Sequence, residues 1–461
     1  MLPKYLVGGF DDLGKYFFAL WLTNLLSSVT EFGLHTPLIR NLASDRSKSR
    51  LLISNAFAIR IVLSIITLLI LVLIVSLKYP DDVGLLIYII GISEVINAFA
   101  QLFRCTFRAY ENMGYEALGV IIERTAVFLI GIWLVIMGYG IVTFGVVVLI
   151  ASVINLSFTS YIMLTKFTKL DLKSIKFGIS IDLLKQSLPY AIGGILYMAY
   201  FRVDGVLLKN MLGSEGNLAM GWYGTGYSFV NALTIIPGAF SGAIMPVMSR
   251  TFASSRTIEL DNLYTRSMKL MFMIGLPLAI GITFLADDII KILYPLSRFE
   301  LRDQEALIII LKVLIWSGML LFMNFAITTL YRATDSRKAY TIITALSLCV
   351  NIISNIILIP KYSYLGASIS MIISESVFFV CGAVHVQKYI CKMKDAFSIG
   401  KIIIASIILT LILYAFKNII LINQYVHLII TFVMAMVVYS AFILLTKTLN
   451  KEDIAMIKHE T

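Results

Sequence analysis

Long apolar runs and short polar breaks alternate along nearly the whole chain. The runs reach or exceed the roughly 18 residues that an α-helix needs to cross a hydrocarbon core. They predict thirteen transmembrane helices, at 14–40, 51–77, 83–109, 117–138, 140–165, 183–211, 217–250, 262–286, 303–331, 337–359, 364–390, 399–417 and 423–446. Connections between them are short. The longest polar stretch, Lys166 to Lys185, leaves no room for a soluble catalytic domain.

Polar residues inside these runs carry the next layer of information. The helix predicted at 83–109 bears Glu94, Asn97, Gln101, Arg104 and Arg108, at steps of 3, 4, 3 and 4. That spacing lines all five along one helical face. Such a face must avoid lipid, because a charge at the membrane centre costs from a few kcal/mol upward. A water-filled, polar-lined cavity accounts for it; a polar seam joining two helices is the plainer alternative. The first helix repeats the device with Asn24, Ser28, Glu31 and His35, and the tenth places Thr344, Ser347, Asn351 and Ser354 on one face. Arg60, Arg124, Lys269, Lys312 and Glu375 stand singly within spans, and Arg202 and Asp204, two apart, point to opposite sides of theirs.

Composition supports the membrane reading. Hydrophobic residues make up 59% of the 461 positions and charged residues 14%, whereas soluble domains hold about 25% charged residues. The formal charge of +11 points to membrane orientation more than to nucleic acid. If the loop Asn41–Arg50 faces the cytoplasm, alternation places most Lys and Arg on the cytoplasmic side. The tail lysines Lys447, Lys451 and Lys458 then lie inside and Met1 lies outside. An outside start with no signal segment leads to the expectation that a fourteenth helix precedes Met1.

Several chemistries are excluded. Cys105, Cys349, Cys381 and Cys391 have no metal-ligand or disulfide spacing, so no metal and no cofactor is expected. Gly9-Phe10-Asp11-Asp12-Leu13-Gly14-Lys15-Tyr16 approaches a P-loop, but Tyr16 replaces the magnesium-binding hydroxyl and no strand precedes it. Gly224-Thr225-Gly226 lies inside a span. With no ATP site, movement of a solute must draw on a gradient or on the membrane potential.

The chain also repeats itself. Phe107-Arg108-Ala109 and Tyr331-Arg332-Ala333 close helices 224 residues apart, and Phe144-Gly145 and Leu365-Gly366 open helices 221 apart. Thr36-Pro37-Leu38-Ile39-Arg40 resembles Met245-Pro246-Val247-Met248-Ser249-Arg250. An even offset of six helices gives two halves of the same topology. The division expected is an N-terminal lobe over 1–165 lacking its first helix, a cytoplasmic linker at 166–182, a C-terminal lobe over 183–390, and two added helices with a cytoplasmic tail over 391–461.

Certain segments resemble a known family. They are Leu13-Gly14-Lys15-Tyr16, Glu31-Phe32-Gly33-Leu34, Pro37 to Arg40, Arg202-Val203-Asp204 ahead of Leu212-Gly213, Gly224 to Tyr227, Pro237, Pro246, and Ile289 to Tyr294. Together they are similar to the polysaccharide transport family, the O-antigen and lipid-linked oligosaccharide flippases, within the multidrug/oligosaccharidyl-lipid/polysaccharide exporter superfamily. The resemblance implies an all-α integral membrane fold of twelve to fourteen helices in two pseudo-symmetric lobes around a central cationic cavity. It matches Asp204 to an acidic position of the seventh family helix; Gly205 stands where a basic residue often follows, and Arg202 precedes instead.

The implied substrate is an oligosaccharide on a polyprenyl or dolichyl phosphate or pyrophosphate, and the implied protein is a monomer and not an enzyme, in the cytoplasmic membrane of a bacterium or archaeon. An anionic head needs cations, for which Arg60, Arg124 and Arg202 are first candidates, with Arg104 and Lys312 beside them. Glu31, Glu94, Asp204 and His35 are candidates for coupling to H+ or Na+ or for gating, and Asn24, Asn97, Gln101 and Asn351 for the polar lining. Two other readings stand beside this one. A cation-coupled multidrug exporter on the same fold would want fewer arginines and a more aromatic cavity. A membrane enzyme acting on lipid-linked sugars would need more outside loop than Asp287 to Asp303 provides.

Overall fold

The structure is a computed structural model, and it describes residues 8–79, 82–393, 396–417, 424–446 and 448–449. The expected placements of Met1 and of Lys447, Lys451 and Lys458 fall outside these residues. Among the described residues every regular element is helical. A bilayer leaves no alternative for single spans, since each N–H and C=O must find its partner within its own segment.

The helices are α1 (Gly9–Glu31), α2 (His35–Ser44), α3 (Ser49–Lys78), α4 (Asp82–Ala109), α5 (Met113–Ile136), α6 (Ile141–Ile162), α7 (Phe177–Met211), α8 (Gly216–Leu233), α9 (Ile235–Ala253), α10 (Thr257–Leu293), α11 (Leu301–Ala333), α12 (Arg337–Tyr362), α13 (Tyr364–Tyr389), α14 (Ala396–Lys417) and α15 (Gln424–Leu445). Among the described residues eleven stretches are long and apolar enough to span a membrane, with α1–α2 and α8–α9 each forming one, and two shorter apolar helices lie at Ile399–Ala415 and Ile429–Leu445. These thirteen match the runs predicted from sequence. The protein is a multi-pass membrane protein.

Two of the predicted helices are broken. The first stops at Phe32-Gly33-Leu34, where Phe32 (φ 42°) and Gly33 (φ 61°) adopt left-handed backbone. Gly33 is required twice over: an added Cβ would also stand 2.6 Å from the Ala191 nitrogen in α7. The other stops at Thr234, with Pro237 in the first turn of α9, where a missing N–H removes no helical bond.

The described residues form two compact units that divide between Gly221 and Trp222. In the first, α1 packs along α3, α4 and α7, and α6 packs against both α4 and α5. Close helix approach depends on glycine: a Cβ on Gly14 would come within 1.7 Å of the Asn217 carbonyl oxygen, and one on Gly221 within 2.0 Å of that of Phe10. In the second unit α13 packs against α11 and α12 while α11 and α12 barely meet, the pattern α6 makes with α4 and α5. The sequence repeat is thus visible as repeated packing. The last two helices pack on α10 and on each other, and the Tyr439 hydroxyl of α15 donates to the Met273 carbonyl of α10 (2.7 Å).

The stretch expected as a linker is mostly folded. A π-turn at Met163–Phe167 ends α6, a 3-10 turn covers Leu172–Ser174, and α7 begins at Phe177, six residues before the predicted start.

Candidate functional site

The polar stripe of α4 is the spine of the site in the first unit. Helical spacing puts its five residues on one face, and neighbouring helices answer them with polar groups of their own. Glu94 lies beside the Asn24 side chain of α1, within the field of Glu31 and Arg124. Asn97 donates to the Glu123 carboxylate of α5 (3.1 Å) and to Ser152 Oγ of α6 (3.2 Å). Arg104 approaches the same carboxylate at 3.9 Å. Arg108 grips Glu116 with two hydrogen bonds of 2.8 and 2.5 Å, and Gln101 is exposed.

Glu123 is the hub that the sequence reading missed. It is buried at 7% exposure, and Asn155 of α6 donates to its second oxygen (2.7 Å). Thr159 in turn donates to Asn155 Oδ1 (3.3 Å), and Ser152 pairs with Ser93 (2.7 Å). Ser152, Asn155 and Thr159 follow steps of 3 and 4 in a largely apolar helix. Applying the stripe rule to α6 would have found them and their acidic partner.

Four arginines of this unit face a glutamate: Arg60 faces Glu31, Arg104 Glu123, Arg108 Glu116 and Arg124 Glu94. They differ sharply in access. Arg60 is 1% exposed, and its Nη1 donates to the Thr30 carbonyl of α1 (2.6 Å). Thr30 lies in the last turn before the break at Phe32, where helix carbonyls lose their intrahelical partners. The guanidinium therefore caps a broken helix inside the membrane, at the end where the helix dipole favours a cation. His35, just beyond the break, lies in the field of Glu31, Arg60 and Arg108. Arg124 is exposed and makes no hydrogen bond or ion pair among the described residues.

In α7, Arg202 and Asp204 point to different sides, as their spacing requires. The Arg202 guanidinium lies over the Trp21 indole of α1 (5.2 Å to the ring centroid). Asp204 is fully buried and accepts from the Gly205 N–H (2.9 Å). A Cβ on Gly205 would meet the buried Trp21 ring at 2.2 Å. Glycine is there because the indole fills the space, which explains why no basic side chain follows Asp204.

The second unit holds a separate set. Asn351 donates to Ser374 Oγ (3.2 Å) and accepts from Asn355 (2.9 Å). Glu375, 1% exposed, accepts from Asn324 (2.6 Å). Lys312 is ion-paired with Asp287 of α10 (2.5 Å). Among the described residues no group of three or more His, Cys, Asp or Glu could hold a metal ion.

The fold and site define a multi-pass helical membrane protein with paired charges among its spans, and comparison with known proteins narrows the class. A family model described as polysaccharide biosynthesis protein matches residues 9–252, more than half of the chain. The chain belongs to that family. A second model, MatE, matches residues 189–357.

Among curated relatives, the probable low-salt glycan biosynthesis flippase of Haloferax volcanii is 22% identical over 268 residues, 58% of this chain and 54% of the relative. The capsular polysaccharide biosynthesis protein CapF of Staphylococcus aureus is 24% identical over 200 residues, 42% of this chain and 47% of the relative. The chain thus spans about half the length of these two relatives. Among solved structures, lipid II flippase MurJ in an inward closed conformation superposes with a TM-score of 0.75 at 17% identity, covering 95% of this chain and 93% of that one. An inward-facing multidrug resistance transporter of the MATE family gives 0.68 at 16% identity, covering 84% and 91%. These likenesses establish the fold.

Proposed function

We propose that this chain is a flippase for a lipid-linked oligosaccharide. It moves a glycan on a polyprenyl or dolichyl phosphate or pyrophosphate across the cytoplasmic membrane for assembly of surface polysaccharide or glycoconjugate. The observation that carries the reading is the charged face of the first unit, where Arg124 stands exposed beside a row of arginine–glutamate neighbours. An isoprenoid tail can stay in lipid while its phosphate cannot, and a guanidinium offers a planar fork of donors to that phosphate. Arg124 is the leading phosphate ligand, with Arg104 and Arg202 near the same chemistry. Arg60, buried on a backbone carbonyl, acts as the support of the break in α1. Lys312, tied to Asp287, orders the outer end of its helix pair.

The glutamates and Asp204 remain the candidates for coupling to H+ or Na+ or for gating, with His35 beside Glu31. Asn24, Asn97, Gln101 and Asn351 supply the neutral polar lining. In the orientation given by the positive loops, the inside-negative potential itself favours outward movement of an anionic head, by about 2.3 kcal/mol per charge per 100 mV. A cation-coupled multidrug exporter is the second reading, favoured by the MatE match over residues 189–357. The exposed Arg124 guanidinium, which forms no ion pair among the described residues, weighs against it, since a cationic drug would meet like charge there.

Deleting the gene in its host and following the lipid-linked oligosaccharide tests the proposal. The expected result is loss of surface glycan with the lipid-linked precursor accumulating in the cytoplasmic leaflet. Unchanged surface glycan without that build-up would refute it.

A further inference from the structure

Between α6 and α7 the chain does something a loose connection would not. Phe167 sits among the rings of Phe107, Tyr110 and Tyr115 (centroids 5.3, 5.2 and 6.0 Å away). Further on, the buried side chains of Ser54 and Asn55 in α3 hold the backbone. The Asp171 N–H donates to Ser54 Oγ (2.9 Å), Asn55 Nδ2 donates to the Ser174 carbonyl (3.1 Å), and the Lys176 N–H donates to Asn55 Oδ1 (2.8 Å). Ser54 and Asn55 are both 0% exposed.

A backbone fixed in this way ought to turn its apolar side chains inward, yet past Leu170, which packs on the core, it presents them outward. Leu172 is 68% exposed and Phe177 82%, and Ile175 is exposed with them. Lys169, Lys173 and Lys176 are exposed on the same short stretch. Both flanking helices are membrane spans, so the stretch lies at the membrane boundary. Apolar side chains interleaved with lysines fit that depth, where the first enter the acyl boundary and the second meet phosphates.

We infer that residues 169–177 form a fixed interfacial anchor whose ligand is the anionic phospholipid headgroup. The inference rests on the membrane spans and their connection, not on the identity of the transported solute. Charge selects the lipid: three lysines favour an acidic headgroup over a zwitterionic one. The clamp on Asn55 and Ser54 transmits the anchorage to the end of α3.

The test uses the full chain in nanodiscs of phosphatidylcholine, with or without phosphatidylglycerol. Cys349→Ser and Cys381→Ser remove the more accessible native thiols, and Phe177→Cys carries an environment-sensitive nitrobenzoxadiazole label. The label should emit as in an apolar medium and be quenched by lipid bearing a shallow nitroxide, not by aqueous iodide. As an independent readout, native mass spectrometry of the otherwise unaltered chain should give a preference for phosphatidylglycerol over phosphatidylcholine. That preference should fall by at least about tenfold, and by up to about a hundredfold, in the Lys169→Gln, Lys173→Gln, Lys176→Gln variant. Quenching by iodide would overturn the anchor, as would an unchanged lipid preference in the lysine variant. A label shielded from both quenchers would also overturn it, since the occupant would then be protein.

Discussion

Replacing Arg60 with alanine is expected to unfold the first unit far more readily, and to lower export only through loss of folded protein. The guanidinium is fully buried and donates to the Thr30 carbonyl at the point where α1 is interrupted. Its removal leaves that carbonyl without a donor, takes the Arg60 charge away from Glu31 and opens a cavity the size of a long side chain. A buried ionic or hydrogen-bonded group that loses its partner costs about 3 kcal/mol. Thermal unfolding in detergent, followed by size-exclusion chromatography, measures the effect. A markedly lower midpoint is predicted for Arg60→Ala. Arg60→Lys should recover part of the loss, because a lysine can still reach a carbonyl but lacks the second arm of the fork. An unaltered midpoint with abolished export would instead return Arg60 to the substrate.

The opposite split is expected at Arg124. Its side chain is exposed and forms no hydrogen bond or ion pair among the described residues, so Arg124→Ala should leave stability nearly unchanged. If the guanidinium meets the phosphate of the substrate, export should fall at least about tenfold, the loss expected for one charge-assisted hydrogen-bonded contact. Arg124→Lys should retain part of the activity, since the charge survives and the fork does not. Surface glycan quantified against the amount of protein in the membrane separates the two effects. Full export by Arg124→Ala at normal protein level would remove this residue from the site.

The sequence carried much of this picture because membranes impose simple rules. Apolar runs reported the helices, and the 3-4-3-4 spacing of Glu94, Asn97, Gln101, Arg104 and Arg108 reported the polar face of α4 directly. The break at Phe32–Leu34 was hidden, because Glu31-Phe32-Gly33-Leu34 reads as a continuous helical pattern. What decides it is the α7 backbone at Tyr190 and Ala191, which is remote in sequence. The capping role of Arg60 follows from that break and was illegible for the same reason. Glu123 was overlooked beside Arg124. Adjacent helical residues point about 100° apart, so one is buried in a network while its neighbour is exposed, and periodicity alone does not tell which. Gly205 illustrates a third limit: the space it leaves is filled by Trp21, a contact no local pattern encodes.

The most direct test of flippase activity is reconstitution. Purified chain in liposomes, given an oligosaccharide linked to a polyprenyl diphosphate in one leaflet, should carry the glycan to the other. A membrane-impermeant glycosidase added on one side then measures how much has crossed. Crossing faster than in protein-free liposomes, and lost in Arg124→Ala, is the predicted result. Crossing no faster than in protein-free liposomes, while a cationic dye is exchanged for H+ or Na+, would contradict it and identify a multidrug exporter on the same fold.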